Sequence, residues 1–584
     1  MKSFISFCPH PGMYKKLPPS DACIILILMG VLFVQLVFLL TALNTTFLYE
    51  TTIRRGEIDE GVVGVPVYKN PLYANNAAEK DIAALMHAGL LQRDLSGGFV
   101  PHLAQSWKQE SPTRYLFTLR EHASFHDGSL ITTADVLYTV GMLQQEQKYK
   151  SPHHAAWVGV AVEAVDDITL IVTVPEGNLH FPGQFTIPIL PEHIWKKIPT
   201  DKRRNYNGSG VHIGAGPYKY SQESVTLDER PTSITLEEFS SYVLGRPFIK
   251  KITLHFFVDV VDLLRAYEVG TIDSVYGIAG GEVGSLLKQK KEEQGRLHTA
   301  NTNRVFGVFF NAEDGRILQD SFLRSVLSRW VTRESIISQV FHTYANPIQH
   351  PLPTDVMLPE QVVPLEDIKQ TLEDIGWRFE SATGYRERDG VPFKISFVVP
   401  NIDEAQQIAD ILADGWRRLG IAVTIHTITE KEVSDTIQKK EFDAMLYGYE
   451  ANTVNDLVAL WKSGDRENLA SITSFGSPIL NDLLTGLEQS TPSQRFLEQL
   501  SQPPHDSWRD MVYTAIKVEM MKNVPAIFLY SPHFLYILPQ RVEGVGLQKG
   551  QRRLGRITDS SDRFTNVHKW HIQREKVWKP FVEN

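Results

Sequence analysis

The hydrophobic pattern of the chain begins with one long apolar run. Residues 22–43 contain no charged side chain, and Gln35 and Thr41 are their clearly polar members. At 1.5 Å per residue a helix of this length reaches about 33 Å, which is enough to cross a hydrocarbon core of about 30 Å. The run therefore predicts a transmembrane helix. Its length favours an uncleaved anchor, with a cleaved secretory signal as the alternative.

Beyond residue 60 the pattern changes to short segments with the periods of strands and helices. Around Phe117 apolar and polar residues alternate, as in a half-buried strand. Asp127-Gly128 then supplies a turn, and Thr132 with Asp135 forms a capping-box-like pair before apolar residues at helical spacing. These residues predict a strand, a tight turn and a capped helix in succession.

A second set of segments lies far along the chain. The run 393–399 indicates a strand, the stripe from Ala405 to Leu419 indicates a helix, and 421–425 alternates as another strand. Strand, helix and strand of these lengths indicate a right-handed βαβ unit on an open sheet. Together the segments predict a mixed α/β fold.

Composition and charge narrow the class of protein. With 584 residues the chain is too long for one ordinary domain, and 42% hydrophobic and 22% charged residues are typical of a globular protein. A formal net charge of −9, without a basic block, argues against a nucleic-acid partner. The two cysteines, Cys8 and Cys23, leave the rest of the chain without a disulfide or a cysteine metal site.

Familiar catalytic motifs do not occur in the sequence. It has no Gly-x-Ser-x-Gly elbow, no His-Glu-x-x-His pair and no phosphate-binding glycine-rich loop ending in Lys-Ser/Thr. This favours a binding protein over an enzyme, and no cofactor is expected.

The segment from Phe125 to Val136 resembles the signature of the extracellular solute-binding proteins of the oligopeptide, dipeptide and nickel type (family 5). Leu130 stands where that family usually has proline, and Thr133 where it has alanine. Neither change removes the turn or the cap. Further segments resemble the family in the same order along the chain: 100–107, 189–195, 214–220, 322–341, 523–531 and 562–570.

The resemblance implies a periplasmic-binding-protein-like type II fold, with two lobes of mixed sheet and a subdomain inserted in the first, here preceded by the transmembrane helix. The expected divisions are a cytoplasmic N-terminus at 1–21, the anchor at 22–43, a tether at 44–60, lobe I at 61–300 with an inserted subdomain at about 86–204, lobe II at 301–528, and a return to lobe I at 529–584.

The same resemblance implies a function. It predicts a receptor that captures short peptides between two closing lobes and delivers them to the permease subunits of an ABC transporter. The receptor is expected to be a monomer on the outer face of the cell membrane, held by its single helix. Alternatives are a receptor for a nickel chelate, haem or sugar on the same scaffold, or a hydrolase or structural surface protein that has kept it.

Ligand-contacting residues are expected mainly after the strand predicted at 442–447, because the family's binding loop follows that strand. Asp456 best matches the acidic position that meets a peptide's α-amino group, and Glu450 is its rival. For Asp456, capping of a helix is the alternative role. The full set of expected ligand-binding residues is Asp456, Glu450, Tyr447, Tyr449, Trp461, Asn70 and Asn311.

Overall fold

The structure is a computed structural model that describes most of the chain. The described residues are 28–39, 48–52, 54–111, 113–145, 151–175, 181–206, 208–227, 230–278, 280–289, 295–353, 363–451, 454, 456–463, 468–488, 508–546, 553–572 and 574–578.

The strands in the first half of the chain are β1 (Leu48–Thr52), β2 (Glu57–Val63), β3 (Leu91–Arg93), β4 (Phe99–Pro101), β5 (Ala104–Ser111), β6 (Arg114–Leu119), β7 (Ala161–Ala164), β8 (Thr169–Thr173), β9 (Tyr218–Val225), β10 (Pro231–Glu238), β11 (Lys251–Phe257) and β12 (Ser274–Tyr276). Those in the second half are β13 (Arg296–Thr302), β14 (Arg304–Phe310), β15 (Ala345–Pro347), β16 (Arg378–Glu380), β17 (Tyr385–Arg388), β18 (Val391–Pro392), β19 (Lys394–Pro400), β20 (Ala422–Ile428), β21 (Ala444–Glu450), β22 (Ala526–Leu538), β23 (Arg553–Ile557) and β24 (Arg574–Trp578).

The helices are α1 (residues 28–39), α2 (Ala77–Met86), α3 (Thr133–Gln145), α4 (His154–Trp157), α5 (Glu192–Trp195), α6 (Val260–Val269), α7 (Gly280–Gln289), α8 (Ser321–Ser328), α9 (Arg333–Ile336), α10 (Leu365–Asp374), α11 (Asp403–Arg418), α12 (Val433–Lys439), α13 (Asp456–Trp461), α14 (Leu469–Thr473), α15 (Pro478–Glu488) and α16 (Trp508–Asn523). Short 3₁₀ turns connect several of them.

The chain forms two compact units, Met1–Ile53 with His571–Asn584, and Arg54–Trp570. In the first unit β1 pairs antiparallel with β24, and α1 covers the middle of the expected transmembrane run. The two ends of that run, 22–27 and 40–43, lie outside the described residues. Among the residues that are described, no helix has both the length and the apolar character needed to span a membrane.

The second unit is built on one large mixed sheet. Its strands follow the order β20-β19-β21-β14-β22-β12-β2-β11-β10-β9, with β13, β15 and β23 attached beside this path. The predicted βαβ unit is confirmed, because β19 and β20 are parallel neighbours joined by α11. Since β2 begins at Glu57, the range 44–60 expected to be a tether already contains the start of this sheet.

The predicted strand, turn and capped helix around Phe117 are confirmed. β6 is the strand, and Gly128 has a φ of +88°, which glycine adopts without strain. The backbone N–H of Thr132 donates to Asp135 Oδ2 at 2.9 Å, so the carboxylate satisfies a donor just before α3. A separate sheet of order β5-β6-β8-β7 and a core that contains Phe117, Trp157 and Phe185 surround this element.

A buried ion cluster ties distant parts of the chain to the large sheet. Arg563 donates to both carboxylate oxygens of Asp81 at 2.8 and 2.7 Å and to Glu60 Oε1 at 3.0 Å. Tyr536 and Ser274 donate to Glu60, and Tyr276 donates to Asp81 at 3.1 Å. The three charged side chains are at most 1% exposed. The cluster thereby joins β2, α2 and the segment after β23.

His102 makes the stability of the protein depend on pH. Its ring Nε2 lies 2.8 Å from the hydroxyl of Tyr242, and burial lowers the pKa of His102 from 6.5 to about 3. Below pH 6.5 the unfolded chain therefore binds a proton that the folded chain does not. The free energy of unfolding is therefore unaffected by His102 above that pH, and it decreases through this group as the pH falls from 6.5 towards 3. Between pH 7 and pH 5 the loss for such a group is about 2 kcal/mol.

We expect His102→Gln to flatten this dependence by about 2 kcal/mol. The measurement is denaturant unfolding of wild type and variant at pH 7 and pH 5, with His255→Gln as the control, because the side chain of His255 is 24% exposed. An equal loss of stability on acidification in all three proteins would contradict the role given to His102.

Candidate functional site

Two long antiparallel strands cross from one part of the large sheet to the other. β22 pairs with β14 and β15 over Ala526–Pro532, and then with β13 and β12 over His533–Leu538. β13 and β14 form its counterpart, separated only by Asn303. Pro532 has no backbone N–H to donate to a ladder, so the exchange of partners occurs where one strand lacks a donor. We call this place the crossing.

Polar side chains gather at the crossing. Asn346 on β15 donates from Nδ2 to Asn301 Oδ1 at 3.2 Å, and His533 Nε2 lies 3.0 Å from Asn346 Oδ1. The amide oxygen accepts, which makes Nε2 of His533 the protonated nitrogen. Thr302 donates its hydroxyl to the carbonyl of Pro532 at 2.7 Å. The crossing therefore carries a connected row of amide, imidazole and hydroxyl groups.

The acidic residue Glu450 ends β21 beside the crossing. Its carboxylate accepts from Arg304 Nε at 3.3 Å, and the two side chains are 52% and 57% exposed. Exposed pairs of this kind contribute about 0–1 kcal/mol. Glu450 is therefore a solvent-accessible carboxylate held only weakly by its partner.

Asp456 is the first residue of α13, and its side chain is half-buried. At this position a carboxylate interacts favourably with the partial positive charge of a helix N-terminus. This position is the one expected for helix stabilisation, and ligand contact by Asp456 stays a prediction. It places Asp456 after the short segment that follows Ala451.

The three aromatic residues of the expected site differ in burial. Trp461 is fully buried, and Tyr449 is 8% exposed and donates its hydroxyl to the carbonyl of Pro351 at 2.6 Å. Burial raises the pKa of Tyr449 well above its usual value. Tyr447 is half-buried and meets the ring of Phe309 edge-on, with centroids 6.1 Å apart. Trp461 and Tyr449 thus belong to the core, and of the three aromatic residues Tyr447 has the most accessible surface.

Asn70 and Asn311 are also held inside the protein. Each is fully buried. Asn70 accepts from the N–H of Leu72 at 3.1 Å and donates to the carbonyl of Arg203 at 3.2 Å. Asn311 donates to the carbonyl of Phe442 at 3.1 Å. Both side-chain amides are therefore hydrogen-bonded to backbone groups, as is usual for asparagines that stabilise loops.

Of the expected residues, Tyr447 lies in the middle of β21, Glu450 ends that strand and Asp456 begins α13, whereas Asn70 lies far earlier in the chain. The residues at the crossing, Asn303 and Asn346 above all, were not predicted from the sequence. The signal that exists is the polar run at 301–304 immediately before the apolar strand β14. Within the described part of the chain, no three His, Cys, Asp or Glu side chains are placed to hold a metal ion.

Comparison with known proteins identifies the family of the chain. The pattern described as "Bacterial extracellular solute-binding proteins, family 5 Middle" matches residues 98–468, more than half of the chain. The oligopeptide-binding protein AppA of Bacillus subtilis (strain 168) is 21% identical over 505 residues, which cover 84% of this chain and 88% of AppA. The nickel-binding periplasmic protein of Escherichia coli (strain K12) is 25% identical over 401 residues, covering 64% of this chain and 72% of that protein.

Solved structures share the fold. AppA from Bacillus subtilis in complex with a nonapeptide has a TM-score of 0.65 at 20% identity, covering 90% of this chain and 100% of that one. The ABC transporter substrate-binding protein CtaP of Listeria monocytogenes has a TM-score of 0.70 at 20% identity, covering 89% and 100%. The chain belongs to the bacterial extracellular solute-binding proteins of family 5, a family of solute receptors with a mixed α/β fold.

Proposed function

We propose that this receptor binds short peptides between two lobes and delivers them to the permease of an ABC transporter. The lobes are those expected from the sequence: 61–300 with 529–584, and 301–528. The observation that carries the proposal is the crossing, where β22 and the pair β13–β14 connect two parts of one sheet and change partners together. AppA, which resembles the chain over most of its length, is described as an oligopeptide-binding protein.

The crossing is suited to a closing motion. β13 and β14 are joined at Asn303, and β22 exchanges β14 and β15 for β13 and β12 after Pro532, so that a rotation at the crossing would move each part of the sheet as a body. A ligand shifts such an equilibrium only through contacts that exist in the closed state. For a peptide, hydrogen bonds to its extended backbone supply contacts that do not depend on its sequence.

Recognition of the peptide's α-amino group falls to Asp456 in this proposal, with Glu450 as the rival. A hydrogen bond between a carboxylate and an ammonium contributes about 1.5–3 kcal/mol. We expect Asp456→Asn to weaken peptide binding by about tenfold or more, measured by calorimetric titration of the full chain. Unchanged affinity would remove Asp456 from the site.

A matched control separates charge recognition from helix stabilisation. Asp403 is the corresponding first residue of α11 and is exposed on another helix. Asp403→Asn removes the same favourable helix interaction and is expected to leave peptide affinity unchanged. Glu450→Gln tests the rival, because a loss confined to that variant would transfer the amino-group contact to Glu450.

A nickel chelate is the second candidate solute, favoured by the match to the nickel-binding periplasmic protein of Escherichia coli. The same titration decides between the two. Heat released on adding nickel with histidine, and none on adding peptides, would overturn the peptide assignment and leave the receptor role intact.

We further propose that residues 22–43 anchor the receptor in the cell membrane, with the large unit on the outer face. The apolar composition of the run and the exposure of every residue of α1 support this anchor. The tether would keep the receptor at high effective concentration near its permease. N-terminal sequencing of the membrane-bound protein tests it, since a chain that begins near Asn44 would show cleavage instead.

A further inference from the structure

Asn303 has a buried amide group without hydrogen bonds. It lies between β13 and β14 at the crossing, and its side chain is 1% exposed. Neither Nδ2 nor Oδ1 has a hydrogen-bond partner among the residues that the structure describes. A buried amide normally pairs both groups, because burial without pairing costs the full desolvation of a donor and an acceptor.

Other buried asparagines of this protein follow the rule. Asn70 and Asn311 are as deeply buried as Asn303, and each uses both its amide oxygen and its amide nitrogen in hydrogen bonds to the backbone. The two residues before Asn303 are also paired, Asn301 to Asn346 and Thr302 to Pro532. The unpaired amide is therefore a local exception within a paired network.

Asn303 lies beside the end of β21, the strand that carries Glu450. Its carbonyl accepts from the N–H of Ala451 at 2.9 Å, directly after the pair Arg304–Glu450 that ends the β14–β21 ladder. Ala451 begins the segment that leads to Asp456.

We propose that Asn303 pairs with a peptide group of the bound solute. In the bound state Nδ2 donates to a carbonyl oxygen of the solute and Oδ1 accepts from an N–H of the same backbone. One donor and one acceptor side by side match the N–H and the carbonyl of a peptide backbone. The inference rests on the proposed function and assigns one residue to the recognition of the peptide backbone.

A state in which Asn303 meets the solute requires local rearrangement, because the side chain is covered in the described state. The crossing offers it. The contact between the hydroxyls of Thr302 and Ser531 is 3.5 Å long, and the N–H of Arg304 reaches Thr302 Oγ1 at 3.4 Å. These two contacts lie at the limit of a hydrogen bond and are lost at little cost when Asn303 turns, while Thr302 keeps its hydrogen bond to the carbonyl of Pro532. The unpaired amide itself favours leaving the present state.

The test replaces the amide by an apolar side chain of similar size. Asn303→Leu is made in the full chain, and its affinity for alanine peptides of two to nine residues is measured by calorimetry beside wild type. We expect affinity to fall tenfold or more, while the midpoint of thermal unfolding without peptide stays unchanged or rises, because an unsatisfied polar group has been removed. Asn303→Asp keeps the acceptors and loses the donor. Its affinity for the peptides is expected to lie between those of wild type and Asn303→Leu.

Asn311→Leu is the control for stability, because it removes an amide that is paired, and its unfolding midpoint is expected to drop. Wild-type affinity in Asn303→Leu, or a drop in its midpoint like that of Asn311→Leu, would overturn the inference while the receptor function stands. If wild type binds none of the peptides, the proposed peptide function fails and the inference fails with it.

Discussion

Replacing Arg563 by methionine is expected to lower the free energy of unfolding by about 3–5 kcal/mol at pH 7, because removal of one partner leaves an uncompensated buried charge. Glu60 and Asp81 are both fully buried, and Arg563 is the cation that faces them. Methionine has a similar length but no donor. The two carboxylates would then keep only the hydroxyl groups around them.

The loss depends on pH in a direction that follows from the carboxylates. Burial raises the pKa of Glu60 and of Asp81, and the charge of Arg563 opposes that rise in both. Without Arg563 their folded pKa values rise further above the unfolded ones. In the variant, the contribution of these two carboxyl groups to the free energy of unfolding is most favourable below their unfolded pKa values and becomes less favourable as the pH increases. We therefore expect a smaller deficit at pH 5 than at pH 7.

The measurement is denaturant unfolding of wild type and Arg563→Met at both pH values. Arg541→Met serves as the control, since Arg541 pairs with Asp273 at 2.9 Å with 48% and 27% of the side chains exposed. An exposed pair contributes about 0–1 kcal/mol, so this variant should remain close to wild type. Equal losses in the two variants would show that the buried cluster has no special role.

Trp461→Ala is expected to cost about 3–5 kcal/mol of stability, the usual range for a buried tryptophan. The indole is fully buried, its ring centroid lies 6.1 Å from that of Phe309 and 6.3 Å from that of Phe528, and it belongs to the core on one face of β14 and β21. Truncation would leave a cavity that neighbouring rings fill only in part.

The same variant decides between core and binding wall for Trp461. Thermal unfolding gives the stability, and peptide titration below the unfolding temperature gives the affinity, which we expect to stay within about threefold of wild type, below the tenfold step of 1.4 kcal/mol. Trp508→Ala, a half-buried tryptophan at the edge of the same core, should lose less stability. A large loss of affinity with little loss of stability would return Trp461 to the ligand-contacting residues.

Elements with local causes could be predicted from the sequence. The turn at Gly128, the cap between Thr132 and Asp135, and the βαβ unit around α11 each depend on residues near one another in the chain, so their pattern carries the answer. The family followed from several such segments in order.

Elements with distant causes could not be predicted in the same way. Glu60 and Arg563 are 503 positions apart, and no local sequence pattern predicts that they are in contact. Asn303 could not be predicted either, because its importance comes from an amide without hydrogen-bond partners among the described residues at the crossing. An aromatic ring such as that of Tyr449 is compatible with a cleft wall and with a core, and its contact with Pro351 is not visible in the sequence. Packing of distant segments, which fixes these contacts, has no short-range signature.

Native mass spectrometry of the purified full chain shows whether the chain holds a short peptide without altering it. We expect mass adducts that correspond to short peptides bound one to one, released intact on gentle activation, and replaced by an added peptide in excess. A protein that carries no peptide, takes up none from the added set, and instead binds a nickel chelate or returns cleaved products would not be a peptide receptor.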